Sequence, residues 1–169
     1  MYSPRHSRWA TDGRMGFFLH SLVVYTVDQL SKWLVVANIG YLQSVPVIPG
    51  FFHLTHILNN GASFGLLRDR VGLFIWITGF ALAFILWLVF FWNGATKPIR
   101  LLLGLVAGGA LGNLSDRMRY GAVVDFLDFR GIWAYIFNVA DIAVVCGGIL
   151  LGIVLLLDSA GEAIRKPRH

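Results

Sequence analysis

Hydrophobic positions fall into four long runs separated by shorter polar stretches, and this alternation is the first structural statement the chain makes. The first run, Met15 to Val27, follows Arg5, Arg8 and Arg14, the charge layout of a cleavable signal peptide as well as of a first span. No small-x-small cleavage site follows it, and "VDQLSKWLVV" continues the pattern, so a retained helix from Gly16 to about Val36 is predicted. The second run, Val71 to about Trp92, is the plainest. The third, Leu101 to Leu114, rises only about 21 Å as helix, short for a bilayer, so a third span at about 99–115 must end in a polar or protein-lined setting. The fourth runs from Phe137 to Leu157. Gly104, Gly108 and Gly112 recur at four-residue spacing and predict close helix packing, and the fourth run has its own small pair, Gly148 and Gly152.

Between the first two runs, "GFFHLTHILNNGASFG" reads as a strand ending at an Asn-Asn-Gly turn, with Leu54, His56 and Leu58 on one face and His53, Thr55 and Ile57 on the other. "NGATKPIR" makes a short turn before the third run. Ser115 to Tyr135 reads as a polar loop, with Ser115 finishing the third helix. The expected fold class is an all-α membrane protein, one domain over 1–169, with four transmembrane helices (about 16–36, 71–92, 99–115, 137–157) and a small extramembrane β element between helices 1 and 2.

Composition agrees: 57% of residues are hydrophobic, 14% are charged, and mean hydropathy is +0.69; soluble domains carry about 25% charged residues. Cys146 is the single cysteine, so neither a disulfide framework nor a cysteine metal cluster is expected. With four spans, eight Lys and Arg side chains share the side of both termini and six lie near the opposite face. This bias predicts termini inside. The six outer bases (Lys32, Arg68, Arg70, Arg117, Arg119, Arg130) meet six acids (Asp28, Asp69, Asp116, Asp125, Asp128, Asp141), so the outer end should be an ion-paired polar site. The basic surplus stays inside, where it suits anionic lipid and not nucleic acid.

Polar residues expensive in lipid therefore converge at one end: Asp28 and Lys32, four apart and able to pair, Asn59 at the turn, Asn113, Asp116 and Arg117, and Asn138 with Asp141. Such groups are functional candidates. The histidines at 6, 20, 53, 56 and 169 are remote in sequence from the carboxylates, which disfavours a metal site, and Ser115 has no neighbouring histidine to activate it. Two aspartates around one water remain, one ionised to take a proton and one protonated to give one. From the residues alone Asp141 is singled out by its depth, while its partner stays open among Asp125, Asp128 and Asp116.

"VDQLSKW", "NNGASFG", "GGALGNLSDR", "VVDF" and "FNVADIAVV" occur in that order and resemble the five signature blocks of the lipoprotein signal peptidases, the signal peptidase II family. The resemblance implies a bacterial inner-membrane aspartic endopeptidase that cleaves prolipoproteins on the amino side of a diacylglyceryl-modified cysteine. It implies no cofactor and no metal, action on its substrate within membrane lipid, and a monomer. By position it makes Asp125, in a loop, and Asp141, on a helix, the catalytic dyad, and leaves Asp128 a solvated or Arg130-paired surface acid. Asn113 and Asn138 become residues that bind substrate backbone or orient an aspartate, with helix-end capping as the alternative. Arg117 braces the site, unless it merely pairs with Asp116. Asn59 and Gly61 contact substrate, Ala140 supports the site, and Asp28, Lys32 and Asp116 are structural polar residues. Ser63 stands where the family usually has alanine. The rival readings are a small proton- or ion-coupled transporter, whose site would be expected near the midplane and between repeated halves, and a catalytically dead relative, which the presence of both dyad positions opposes.

Overall fold

The computed structural model describes residues 13–61 and 70–165. Its elements in order are α1 (Arg14–Asn38), β1 (Ser44–Ile48), β2 (Phe52–Asn59), α2 (Val71–Phe91), α3 (Lys97–Tyr120), β3 (Val123–Phe129) and α4 (Val139–Arg165). Ser63, Arg68 and Asp69, and the arginines before residue 13, lie outside the described residues.

α3 is the central helix, packed against α1, α2 and α4. The glycine spacing explains how it approaches them. A Cβ on Gly104 or Gly108 would sit 2.6 Å from the carbonyl oxygens of Phe17 and Ser21 on α1, and one on Gly109 would sit 2.5 Å from that of Ala140 on α4. Only glycine permits backbones that close. Ser21 Oγ uses the proximity to donate to Gly104 O at 3.0 Å. Gly148 and Gly152 meet nothing, so the second small pair does not pack; the neighbouring Gly147 does, against Leu105 and Val106. At this end of the bundle Phe17, Ile85, Val89, Ile99 and Leu103 form the apolar core, with Leu151 and Val154 of α4 packed onto it.

The predicted elements need four corrections. α3 does not stop at Ser115: it runs two turns past Leu114, because Asp116 and Arg117 are bonded within the bundle, and it ends where Gly121 takes φ 67° and donates its N–H to Arg117 O. α4 starts at Val139, since Phe137 is bridged to Leu127. It extends to Arg165, well past Leu157. Among the described residues three helices, Val71–Phe91, Lys97–Tyr120 and Val139–Ala160, are long and apolar enough to cross a bilayer; α1 has the length, with 25 residues, but carries Asp28, Gln29 and Lys32.

The fourth correction is the sheet. It is antiparallel, in the order β1-β2-β3, and its third strand lies between α3 and α4, within what reads in sequence as a polar loop. Val123, Val124, Asp125 and Phe126 are all buried, so the two-residue alternation that signals a strand is absent. β2 also departs from simple alternation. A bulge between Leu54 and Ile57 leaves Thr55 and His56 both buried, and His56 Nδ1 donates to Ile39 O at 2.8 Å.

Candidate active site

α1 presents Phe17, Ser21, Asp28, Lys32 and Val35 on its buried face at helical spacing, so the two charged residues are carried inward with the apolar ones. Lys32 Nζ lies 2.9 Å from Asp28 Oδ2 and 2.8 Å from Asp116 Oδ2, and donates to Asn113 Oδ1 at 2.9 Å. Each of these two carboxylates also accepts a backbone N–H: Ala140 N donates to Asp28 Oδ1 at 2.9 Å, and Val124 N to Asp116 Oδ2 at 3.1 Å. The predicted Asp28–Lys32 pair is therefore present as part of a buried triad. It holds the residue before Asp141 with one carboxylate and the residue before Asp125 with the other.

Asp125 and Asp141 are set by asparagines. Asn59 Nδ2 donates to Asp125 Oδ2 at 2.9 Å and Asn138 Nδ2 to Asp125 Oδ1 at 2.6 Å. Asn113 Nδ2 donates to Asp141 Oδ1 at 2.8 Å. Asn138 precedes the first residue of α4 and closes a reciprocal capping box with Asp141: its Oδ1 accepts Asp141 N–H at 2.9 Å, while its own N–H donates to Asp141 Oδ2 at 3.2 Å. Asn138 thus caps the helix and bonds Asp125 with the same side chain. Asn113 caps nothing, because α3 continues past it.

Asp125 is on β3 and not in a loop. The free edge of that strand is closed by Asp116 and Asn138, which bond the N–H and C=O of Val124, and by Phe137 O, which accepts from Phe126 N and Leu127 N at 3.0 and 2.8 Å. Burial, and next to it the charge of Asp141, push the Asp125 carboxyl up to about 7. Asp128 is on the other side of the strand, where Thr55 Oγ1 donates to it at 2.7 Å and Arg130 pairs with it at 3.1 Å. Burial pushes that carboxyl up, but these donors outweigh it and hold it below the ordinary range.

Asp125 and Asp141 line one cavity of about 760 Å³ together with Asn59, Gly61, Asn113 and Arg117. The rest of its wall is apolar: Phe74 of α2, Ile142 and Val145 of α4, and Ile132, Trp133 and Tyr135 of the segment between β3 and α4. Arg117 makes no pair with Asp116, which Lys32 occupies. Its guanidinium carbon lies 5.1 Å over the Phe74 ring, and Nη1 donates to Asn113 O at 3.3 Å. Ala140 is fully buried, below the carboxylates, against Gly109 and Gly112. Asp28, Lys32 and Asp116 do not line the cavity.

Gln29 escaped the sequence reading. It donates to Asp116 Oδ1 at 3.0 Å and to Gly112 O at 3.2 Å, and accepts from Arg119 at 3.1 Å. Its position inside "VDQLSKW", beside Asp28, was the available signal.

Two carboxyls, Asp125 buried and Asp141 half-buried, served among the described residues by amide donors and facing one cavity at the end of an apolar helical bundle, fit the layout of a membrane enzyme of the aspartic class. Residues 20–157 match the family described as Signal peptidase (SPase) II, and the chain belongs to this family of aspartic peptidases. It is 47% identical over 154 residues to a lipoprotein signal peptidase of Moorella thermoacetica, covering 90% of this chain and all of the relative. With one of Pelotomaculum thermopropionicum it shares 49% identity over 146 residues, 86% of this chain and 94% of the relative. Among solved structures, a bacterial membrane enzyme obtained by the in meso method superposes with a TM-score of 0.80 at 32% identity, covering 90% of this chain and 93% of that one.

Proposed function

We propose that this protein removes signal peptides from prolipoproteins, cutting on the amino side of the diacylglyceryl-modified cysteine with Asp125 and Asp141 as its dyad. The observation that carries the reading is that these two carboxyls, brought from a strand and a helix, line the same cavity with no cation among the described residues bound to either. Asp125, whose carboxyl is pushed up to about 7, holds the proton, and Asp141 is the ionised partner; the pair titrates as a unit. Asp141 takes a proton from water as its oxygen attacks the scissile carbonyl carbon, and Asp125 donates to the carbonyl oxygen. Collapse of the tetrahedral intermediate breaks the C–N bond: one of its hydroxyls returns a proton to Asp125 as the C=O bond re-forms, and the proton on Asp141 passes to the departing amine. Asn59 and Asn138 keep Asp125 oriented in both protonation states, Asn113 does the same for Asp141, and Arg117 and Gly61 face the substrate.

Substrate enters laterally between α2 and α4. These helices share the apolar core through Ile85, Val89, Leu151 and Val154, while the cavity separates Phe74 from Ile142 and Val145 at the site end. In this reading α1 is a fourth span whose charges are hidden on the α3 side. The chain is one monomeric domain of the bacterial inner membrane, the excess of Lys and Arg keeps both termini cytoplasmic, and the dyad lies near the outer face. The transporter alternative is not favoured: the carboxyls lie at one end of the bundle, and among the described residues the sheet has no counterpart at the other.

Purified protein incubated in detergent with a diacylglyceryl-modified prolipoprotein tests this, against Asp125→Asn and Asp141→Asn variants that elute as the wild type does. The reading requires cleavage by the wild type alone. Cleavage by either variant at a comparable rate rejects the dyad.

A further inference from the structure

Two stretches lack charge where an exposed segment should have it. From Trp33 to Phe52 there is no Asp, Glu, Lys or Arg, and none from Gly131 to Ala140. Apart from Val35, Ile39, Asn138 and Ala140, which are buried, neither is hidden in the core. Leu42 is 67% exposed and Val47 52% on and before the β1–β2 hairpin, and Ile132 69% and Trp133 58% on the second stretch. All five residues of β1 are exposed. The two stretches are tied together, since Arg130 N donates to Phe51 O at 2.9 Å and the Phe51 ring rests edge-on to Phe129 at 5.9 Å.

This surface continues the lipid-facing surface of the bundle, because Trp133 stands at the cavity wall beside Ile142 and Val145 of α4, themselves exposed. Patches of this kind mark an interaction surface, and the features of this one favour lipid over a protein strand. Pro46 and the irregularity between Pro46 and Ile48 blunt the edge of β1 against pairing with another chain. Aromatic and aliphatic side chains without charge, with Arg130 at the border, are the composition of a membrane interface.

We infer that the β1–β2 hairpin and the segment from Arg130 to Phe137 form a shelf that lies in the lipid interface, with Leu42, Val47, Ile132 and Trp133 dipped below the headgroups. The sheet then stands in the membrane surface and not in the water above it, and the mouth of the cavity opens at the depth of lipid. The inference goes beyond the peptidase reading and stands without it, since it uses no step of the chemistry.

Spin labels test it in a Cys146→Ala background. Val47→Cys and Ile132→Cys, with Leu42→Cys and Trp133→Cys as second positions should either fail to fold, are labelled and reconstituted in phosphatidylethanolamine–phosphatidylglycerol vesicles; Ile149→Cys on α4 serves as the lipid standard. The expected result is that labels on both hairpin and loop collide with oxygen more than with a water-soluble nickel chelate, as the standard does. Chelate collisions dominating at either element overturns the inference, and so does spin–spin broadening there, which would make a second copy of the chain the occupant.

Discussion

Two pairs of carboxyls, all buried but the half-buried Asp141, lie at the same end of this molecule, and they are equipped differently. Asp28 and Asp116 share the ammonium of Lys32, and each accepts a backbone N–H. Among the described residues Asp125 and Asp141 receive only amide donors, from Asn59, Asn113 and Asn138. A cation within bonding distance offsets a carboxylate's charge with its own. An amide leaves a proton free to come and go. Depth alone does not mark a reactive acid here; the identity of the donor does. The two pairs also cooperate, since the neutralised pair grips the backbone beside each member of the other.

The comparison breaks first, and most severely, at chemistry. Asp125→Asn and Asp141→Asn should each lower single-turnover cleavage by about 10²–10⁴, the range for loss of a general acid or base, while thermal unfolding shows the fold intact. Lys32→Met should do the reverse. It strands two buried carboxylates and should cost about 3–5 kcal/mol, read as a drop in the unfolding midpoint and in yield; an unchanged midpoint would mean the triad is not the clamp described. Gly112→Ala comes next, because the new methyl would press on the Asp28 carboxylate. A destabilisation of about 1–3 kcal/mol is expected from overpacking, measurable by the same unfolding assay.

pH sharpens the contrast. Below about 7 Asp125 keeps its proton and can donate it; above, both members of the pair are charged and the rate should fall, giving an alkaline limb near 7 in the pH profile. Stability follows the same sign. The folded chain holds this proton more tightly than the unfolded one, so stability should decline as pH rises from 3.8 to about 7, and Asp125→Asn should flatten that decline. The smallest effect belongs to Asp128→Asn, which touches a half-exposed pair with Arg130 and should cost about 0.2–1 kcal/mol, with cleavage nearly unchanged. A complete loss there would move the dyad to the wrong face of β3.

Much of this was legible along the chain. Apolar runs announced the helices because lipid demands about 20 apolar residues per crossing, and the glycines of α3 announced its packing because backbone contact needs the missing Cβ. The spacing of Asp28 and Lys32 predicted their pairing, for i and i+4 share a helix face. β3 was not legible, since burial on both sides replaces the alternating pattern with "VVDFLDF", in which two acids imitate a loop. The true end of α3 was hidden for a related reason: Asp116 and Arg117 look like a polar stop until their partners on α1 and α2 are known.

What the sequence determined by itself, then, was an apolar bundle with a set of polar residues at one end and, through its ordered motifs, the family to which it belongs. Which acids share a cavity and which share a lysine was decided by the tertiary structure. Asp116, Asp125 and Asp128 are equivalent as letters, and they part only when β3 turns one toward the cavity and another toward Arg130, while α1 brings Lys32 to the third. Hydropathy is a property of residues taken locally, whereas the charge state of a carboxyl depends on which donor, from a remote segment, arrives within 3 Å of it.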